Sequence, residues 1–171
     1  DPGPVNIDYL NAIDGFGAEE IFYNGDLATD EYRLANLLNF IQFNKKIMVS
    51  EFVSDNLNIA DAINRNYEQN FICFPRTSSN YDYIEIPDTV IQENTNDILL
   101  LNDAKNYLYL ISNSQFTTKQ SMIDAISATN FDLVIIDAFF EEALFTASEI
   151  NQLKTKANGA QRLVIAYMSI G

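Results

Sequence analysis

The sequence predicts an α/β architecture: a parallel β-sheet covered by helices. Three observations carry this. The strand-type runs at Lys46–Val53 (KIMVSEFV), 133–136 (LVII) and 163–170 (LVIAYMSI) are almost continuously apolar, the pattern of strands buried on both faces. Such runs recur at roughly 25 to 35 residues, the length of one βα unit. The segments between them repeat apolar residues at helical spacing. Two architectures fit, a (β/α)8 barrel and an open doubly wound sheet. Neither GxGxxG nor GxxxxGK[ST] occurs, so no nucleotide-binding signature supports the open sheet. About six βα units are countable, where a closed barrel needs about eight.

In chain order, residues 1–6 read as a Pro-Gly loop. Residues 11–23 read as a strand, with Gly15 and Gly17 in a functional-looking loop before Ile21, Phe22 and Tyr23. Thr29 suits an N-cap, with Asp30 and Glu31 at the positive end of the helix dipole. Leu34, Leu37, Leu38 and Ile41 then form one apolar stripe, predicting a helix to about Asn44. Lys46–Val53 is a strand. Residues 54–70 form a helix with Ile59, Ile63 and Tyr67 on one face, and 71–74 a strand stopped by Pro75. The polar stretch 76–96 reads as a long loop with a short strand at 83–86. Loops of this length are uncommon in compact domains and are usually functional or mobile, and this one is the candidate internal boundary of a chain otherwise read as one barrel portion, residues 1–171. Residues 97–106 predict a short helix, 107–112 a strand, and 120–129 a helix with Met122, Ile123 and Ile126 inward. The strand 133–136 ends in Asp137. Thr146 and Glu149 make a capping box, opening a helix that Asn158-Gly159 stops. The strand 163–170 follows, ending one residue before Gly171.

Composition narrows the function classes. The 171 residues are 47% hydrophobic and 20% charged, the mix of a globular chain rather than a disordered one. No run reaches the roughly 18 apolar residues of a transmembrane helix, and no signal-peptide pattern opens the sequence. Ten Lys plus Arg against 24 Asp plus Glu give a net charge of −14. That sign argues against nucleic acid and anionic lipid as partners and fits a cationic substrate or a metal ion. Histidine is absent, which removes Ser-His-Asp and Cys-His catalysis and His-ligated zinc. Cys73 is the lone cysteine and reads as a buried, inert thiol. Acid–base chemistry falls to Asp, Glu, Tyr or Lys.

In parallel α/β folds the residues at strand carboxyl ends point into the site. Asp137 follows Leu133-Val134-Ile135-Ile136, Glu51 follows Ile47-Met48-Val49-Ser50, and Glu19 and Glu20 follow the Gly15-Phe16-Gly17 loop, with Asp14 before it. Each acid reads either as a site group or as a solvated one. Asp137, flanked by apolar residues, has the strongest claim to a function, because a carboxyl group there needs a partner or a reason. Paired carboxylates are what glycoside hydrolysis requires. Tyr23, Phe52, Phe74 and Tyr167 read as core or as rings that stack on sugars.

Three stretches, Asn106-Tyr107-Leu108-Tyr109-Leu110-Ile111, Thr129-Asn130-Phe131-Asp132-Leu133-Val134-Ile135-Ile136-Asp137 and Leu163-Val164-Ile165-Ala166-Tyr167-Met168-Ser169-Ile170-Gly171, resemble successive strands of one family. It is the TIM-barrel family containing the glycoside hydrolase family 114 domain, the endo-α-1,4-polygalactosaminidases and their bacterial relatives. Residues Ile13 to Tyr23 resemble its Asp-Gly-x-Gly-x-Glu segment. Lys46 to Phe52 resembles its strand ending in an acid and an aromatic, with Glu51 where the family has Asp. The resemblance implies a hydrolase of galactosamine-containing polysaccharide, with Asp137 as one catalytic carboxylate. The second is expected in a Gly-Glu-Ala-Glu stretch beyond Gly171. The Asp-Gly segment precedes the Tyr-Leu-Tyr-Leu-Ile-Ser strand rather than following the others, an order that implies circular permutation or an unusual arrangement.

The expectation is therefore an incomplete TIM barrel. Asp14, Glu19, Glu51, Tyr167 and Ser169 would line the mouth as substrate-binding groups, with no cofactor and no resident metal. The partner would be a polysaccharide, such as cationic galactosaminan, with a second chain or a missing segment completing the barrel. The setting would be extracellular or in the cell envelope of a bacterium. The alternatives are a non-catalytic carbohydrate-binding relative, or an acidic domain holding calcium between carboxylates such as Asp14 and Glu19.

Overall fold

The structure, a computed structural model, describes residues 6–169. The chain is mixed α/β and divides into two compact units, Asp1–Ser79 and Asn80–Gly171. Each holds one three-stranded parallel sheet. Both sheets are open, and the described residues form no closed eight-stranded barrel. No described helix is long and apolar enough to cross a membrane.

The first unit runs α1 (Ile7–Ala12), β1 (Gly15–Leu27), α2 (Glu31–Gln42), β2 (Lys46–Val53), α3 (Ile59–Glu68) and β3 (Phe71–Arg76), with strand order β1-β2-β3. Asp30, not Thr29, caps α2. Its carboxylate accepts the Arg33 amide at 2.9 Å and the Arg33 Nε at 2.7 Å, adding to the capping hydrogen bond an ion pair that a threonine hydroxyl could not make. Both α2 and α3 are followed by an asparagine in the left-handed region, Asn44 (φ 58) and Asn70 (φ 61), a helix-ending conformation that asparagine tolerates. Side chains alternate across β2. Ile47, Val49 and Val53 face α2 and α3 and pack with Ile21, Phe22, Tyr23, Leu37, Ala62 and Phe71 into the core. β3 continues through Pro75, which pairs with Glu51. The proline is tolerated because β3 is an edge strand that needs no donor on its outer side.

The register of β1 breaks in the middle. Glu19 pairs with Ser50, yet the next pair is Asn24 with Phe52, so β1 carries extra residues there. Glu20 opens this bulge with φ 55. Bulges leave backbone groups without ladder partners, and here a side chain supplies them, as described below.

The second unit holds β4 (Tyr107–Leu110), α4 (Lys119–Ser127), β5 (Leu133–Asp137), a hairpin of β6 (Phe139–Phe140) and β7 (Ala143–Leu144), α5 (Ala147–Leu153) and β8 (Leu163–Tyr167). The parallel order is β4-β5-β8. Thr118 and Thr146 cap α4 and α5 with capping boxes. The expected helix at 97–106 shrinks to a 3-10 turn at Leu101–Asp103, and 83–86 forms no strand. α5 ends at Leu153 rather than at Gly159, because Thr155 bridges Gln161 and Lys156 N–H donates to Ala160 O at 2.8 Å. Gly159, φ 89, closes that reversal.

A buried polar network ties the long loop to the amino end of this sheet. Lys156 Nζ donates to Asp132 Oδ1 at 2.7 Å, Asn96 O at 2.9 Å and Asn94 O at 3.2 Å. Asp132 Oδ2 accepts Asn94 Nδ2 at 2.5 Å and Lys105 N–H at 2.8 Å. Both charged side chains are fully buried. Arg162 is also buried. It donates to the Thr129 and Thr155 carbonyls and the Thr129 hydroxyl, just past the carboxyl ends of α4 and α5, where the helix dipoles favour a cation. Burial nevertheless pulls its pKa down to about 10.

Candidate functional site

On the second sheet, residues in register across strands share a face. Tyr107, Tyr109, Leu133, Ile135, Asp137, Leu163, Ile165 and Tyr167 occupy one face by this rule. The opposite face presents Leu108, Leu110, Val134 and Ile136, all of them buried. The first face is therefore aromatic and ends in an acid at its carboxyl edge. Asp137 and Tyr167 are direct register partners. Tyr109 lies beside three other rings: Tyr83 at 4.1 Å, Tyr167 at 6.4 Å and Tyr107 at 6.5 Å between centroids. These distances fall within or just below the range of favourable ring pairs.

Asp137 is half-buried, and its Oδ1 accepts the Phe139 amide at 2.8 Å. That bond turns the chain from β5 into the β6–β7 hairpin and fixes the carboxylate, while Oδ2 carries no hydrogen bond among the described residues. Lys119 anchors the hairpin from the other side, donating to Leu144 O at 2.7 Å, and its ammonium lies 5.2 Å from the Phe145 ring. Ser169 lies exposed, two residues past β8 at the same edge. Asp137, Tyr167 and Ser169 thus come together at the carboxyl edge of one sheet.

The first sheet sorts its three acids differently. Asp14 is exposed, just before β1, and its carbonyl accepts Lys46 N–H at 3.2 Å. That is the amino edge, about six residues back along the sheet from Glu51, or about 20 Å at strand rise. Asp14 therefore does not share a mouth with Glu51, and it lies five residues, about 16 Å at strand rise, from Glu19, so the two cannot bite one calcium ion. Glu51 faces the helices, on the same side of β2 as Ile47, Val49 and Val53, and is completely buried. Its carboxylate accepts the amides of Phe22 at 3.1 Å and Tyr23 at 3.1 Å, and Asn66 Nδ2 at 2.8 Å. It serves the orphaned backbone of the bulge rather than a substrate. Burial raises its pKa; the Asn66 amide and the Tyr23, Phe22 and Ile21 backbone bonds pull the other way without prevailing. Burial, with the Glu51 charge, also pushes the Cys73 thiol well above 9.0, which keeps it protonated and inert.

Glu19 lies on the opposite face, in register with Ser50, whose buried hydroxyl has no hydrogen-bond partner. Glu20 pairs with Arg76, whose guanidinium sits 5.2 Å from the Phe52 ring. Among the described residues no group of three or more His, Cys, Asp or Glu side chains is arranged to hold a metal ion.

Sequence reasoning missed Tyr83 and Tyr109 as members of the aromatic face. The Tyr107-x-Tyr109 alternation in a strand was the available signal, since period two puts both rings on one side. Nothing local marks Tyr83, which reaches Tyr109 from the loop with its backbone at φ 43, a conformation costing a bulky residue about 1–3 kcal/mol. Comparison with family models, with curated proteins and with solved structures finds no match to this chain.

Proposed function

We propose that this chain is part of a glycoside hydrolase-like barrel of the polygalactosaminidase-like type, acting on galactosamine-containing polysaccharide at the carboxyl edge of β4-β5-β8. The observation that carries the reading is Asp137 beside Tyr167 in register, on a strand face that also presents Tyr109. Aromatic rings stack on sugar faces, and a carboxyl group fixed through one oxygen is suited, as the acid, to protonating a glycosidic oxygen or, as the carboxylate, to attacking the anomeric carbon. Asp137 is one of the two carboxylates that such a reaction needs. The sequential order of three parallel strands in each sheet is that of an arc of a (β/α)8 barrel, and equally that of one half of a doubly wound sheet. A net charge of −14 favours a cationic, partly deacetylated galactosaminan. An extracellular or cell-envelope location in a bacterium follows from that substrate.

The test is release of reducing ends from partly deacetylated galactosaminan, native against Asp137→Asn. Cleavage by the native protein and none by the variant supports the reading; equal cleavage removes Asp137 from the mechanism. A second reading, a carbohydrate-binding relative that does not cut, is favoured by Asp137 being the single acid at the paired positions of that face among the described residues. Calorimetric binding without reducing-end release selects it. Tyr109→Ala weakens binding under either reading.

A further inference from the structure

Tyr83 is out of character with its surroundings. It is 5% exposed, the single buried residue between Thr77 and Asp97 in a stretch without helix or strand. Its backbone lies at φ 43, in the left-handed region that bulky L-residues rarely adopt. Its ring lies 4.1 Å from Tyr109 at 32°, nearer than Tyr167 and Tyr107 lie to Tyr109. The carbonyl of Tyr83 accepts the Ser112 amide at a long 3.4 Å. Further on, Asn94 and Asn96 join the buried Lys156–Asp132 pair. Its neighbours Tyr81 and Asp82 are exposed. One ring is thus inserted onto the aromatic face from a strand-free strap, against a backbone preference that favours its release.

We infer that the Tyr83 ring is a displaceable occupant of the stacking position on Tyr109, so that this position is a sugar-ring subsite closed by the chain's own tyrosine. This rests on the glycan reading above and names a control on that site. A pyranose entering beside Asp137 takes the face that Tyr83 vacates, and the strap relaxes out of the left-handed region. A site occupied by its own side chain has its apparent affinity reduced to the fraction of molecules in which it stands open. Removing the ring therefore tightens binding. Glycine is the suitable replacement, because it accepts the positive φ without strain.

Two measurements test this. Nitration with tetranitromethane, mapped by peptide mass spectrometry on the native protein, compares Tyr83 with Tyr107, its equally buried neighbour at 2% exposure. A displaceable Tyr83 reacts about tenfold faster or more, as local opening demands; equal protection of the two rings overturns the inference whether or not any glycan binds. Calorimetry with a galactosamine oligosaccharide compares native protein with Tyr83→Gly and with Tyr83→Gly/Tyr109→Ala. The single variant is expected to bind about tenfold tighter, and the double variant to lose that gain. Unchanged or weaker binding by Tyr83→Gly overturns the inference and makes Tyr83 part of the platform. Fast nitration of Tyr83 with no glycan bound by any variant keeps the displaceable ring and sinks the glycan reading.

Discussion

Replacing Lys156 with methionine separates a structural ion pair from a decorative one. Lys156→Met keeps the stem volume but deletes an ammonium that makes three hydrogen bonds, to Asp132 Oδ1, Asn96 O and Asn94 O. The Asp132 carboxylate then keeps two donors, Asn94 Nδ2 and Lys105 N–H, but loses its one counter-charge within ion-pair distance among the described residues. Both side chains are fully buried, so water cannot step in. Breaking a buried pair by removing one member costs about 3–5 kcal/mol, and the carbonyl orphaned at Asn96 adds to it. The expected loss is about 4 kcal/mol, a large fraction of the roughly 5–15 kcal/mol that holds a domain folded. Urea unfolding followed by circular dichroism measures it, and amide exchange in β5 locates it in the second unit. Asp132→Asn in the Lys156→Met background should recover about 2 kcal/mol or more, since the uncompensated charge is gone. A single-variant loss below about 1 kcal/mol, or strict additivity of the two changes, would refute the reasoning.

The other predictions concern the site and its supports. Asp137→Asn should leave unfolding free energy within about 1 kcal/mol while abolishing galactosaminan cleavage; comparable losses of both would mean that the residue is structural. Glu51 titrates above its ordinary 4.5 in the folded state, so the native fold binds more protons than the unfolded chain, and its contribution falls as pH rises from 4.5 through the folded value. The stability gap between native protein and Glu51→Gln should accordingly narrow with rising pH in urea titrations, and a widening gap would reverse the sign of the shift. Thr146→Ala and Thr118→Ala each remove a side-chain cap and should cost about 1 kcal/mol of unfolding free energy. Binding of cationic galactosaminan should weaken as salt rises from about 0.01 to 0.15 M, because the Debye length shrinks from about 30 to 8 Å; an affinity indifferent to salt removes the role given to the acidic charge.

What the sequence by itself determined is what neighbouring residues decide. β2 spans the predicted Lys46–Val53, because a run of apolar and β-branched residues needs no distant partner to declare itself. The Thr146–Glu149 box starts α5 where its spacing says, since both capping bonds lie within four residues. Parallel pairing followed from continuous apolar runs. Even the buried side of Glu51 was legible, for Ile47, Val49, Glu51 and Val53 alternate on one face; reading it only as a strand-end acid concealed this. Tertiary structure alone decided the rest. Whether Asp14 joins Glu51 depends on where β1 sits against β2, and the register puts it at the far edge. The β1 bulge exists because Glu51, 28 residues or more along the chain, offers its carboxylate to the Phe22 and Tyr23 amides. Lys156 meets Asp132, and Tyr83 meets Tyr109, across 24 and 26 residues. Such pairs leave no periodic trace in the sequence, because each is fixed by the folding of everything between its members.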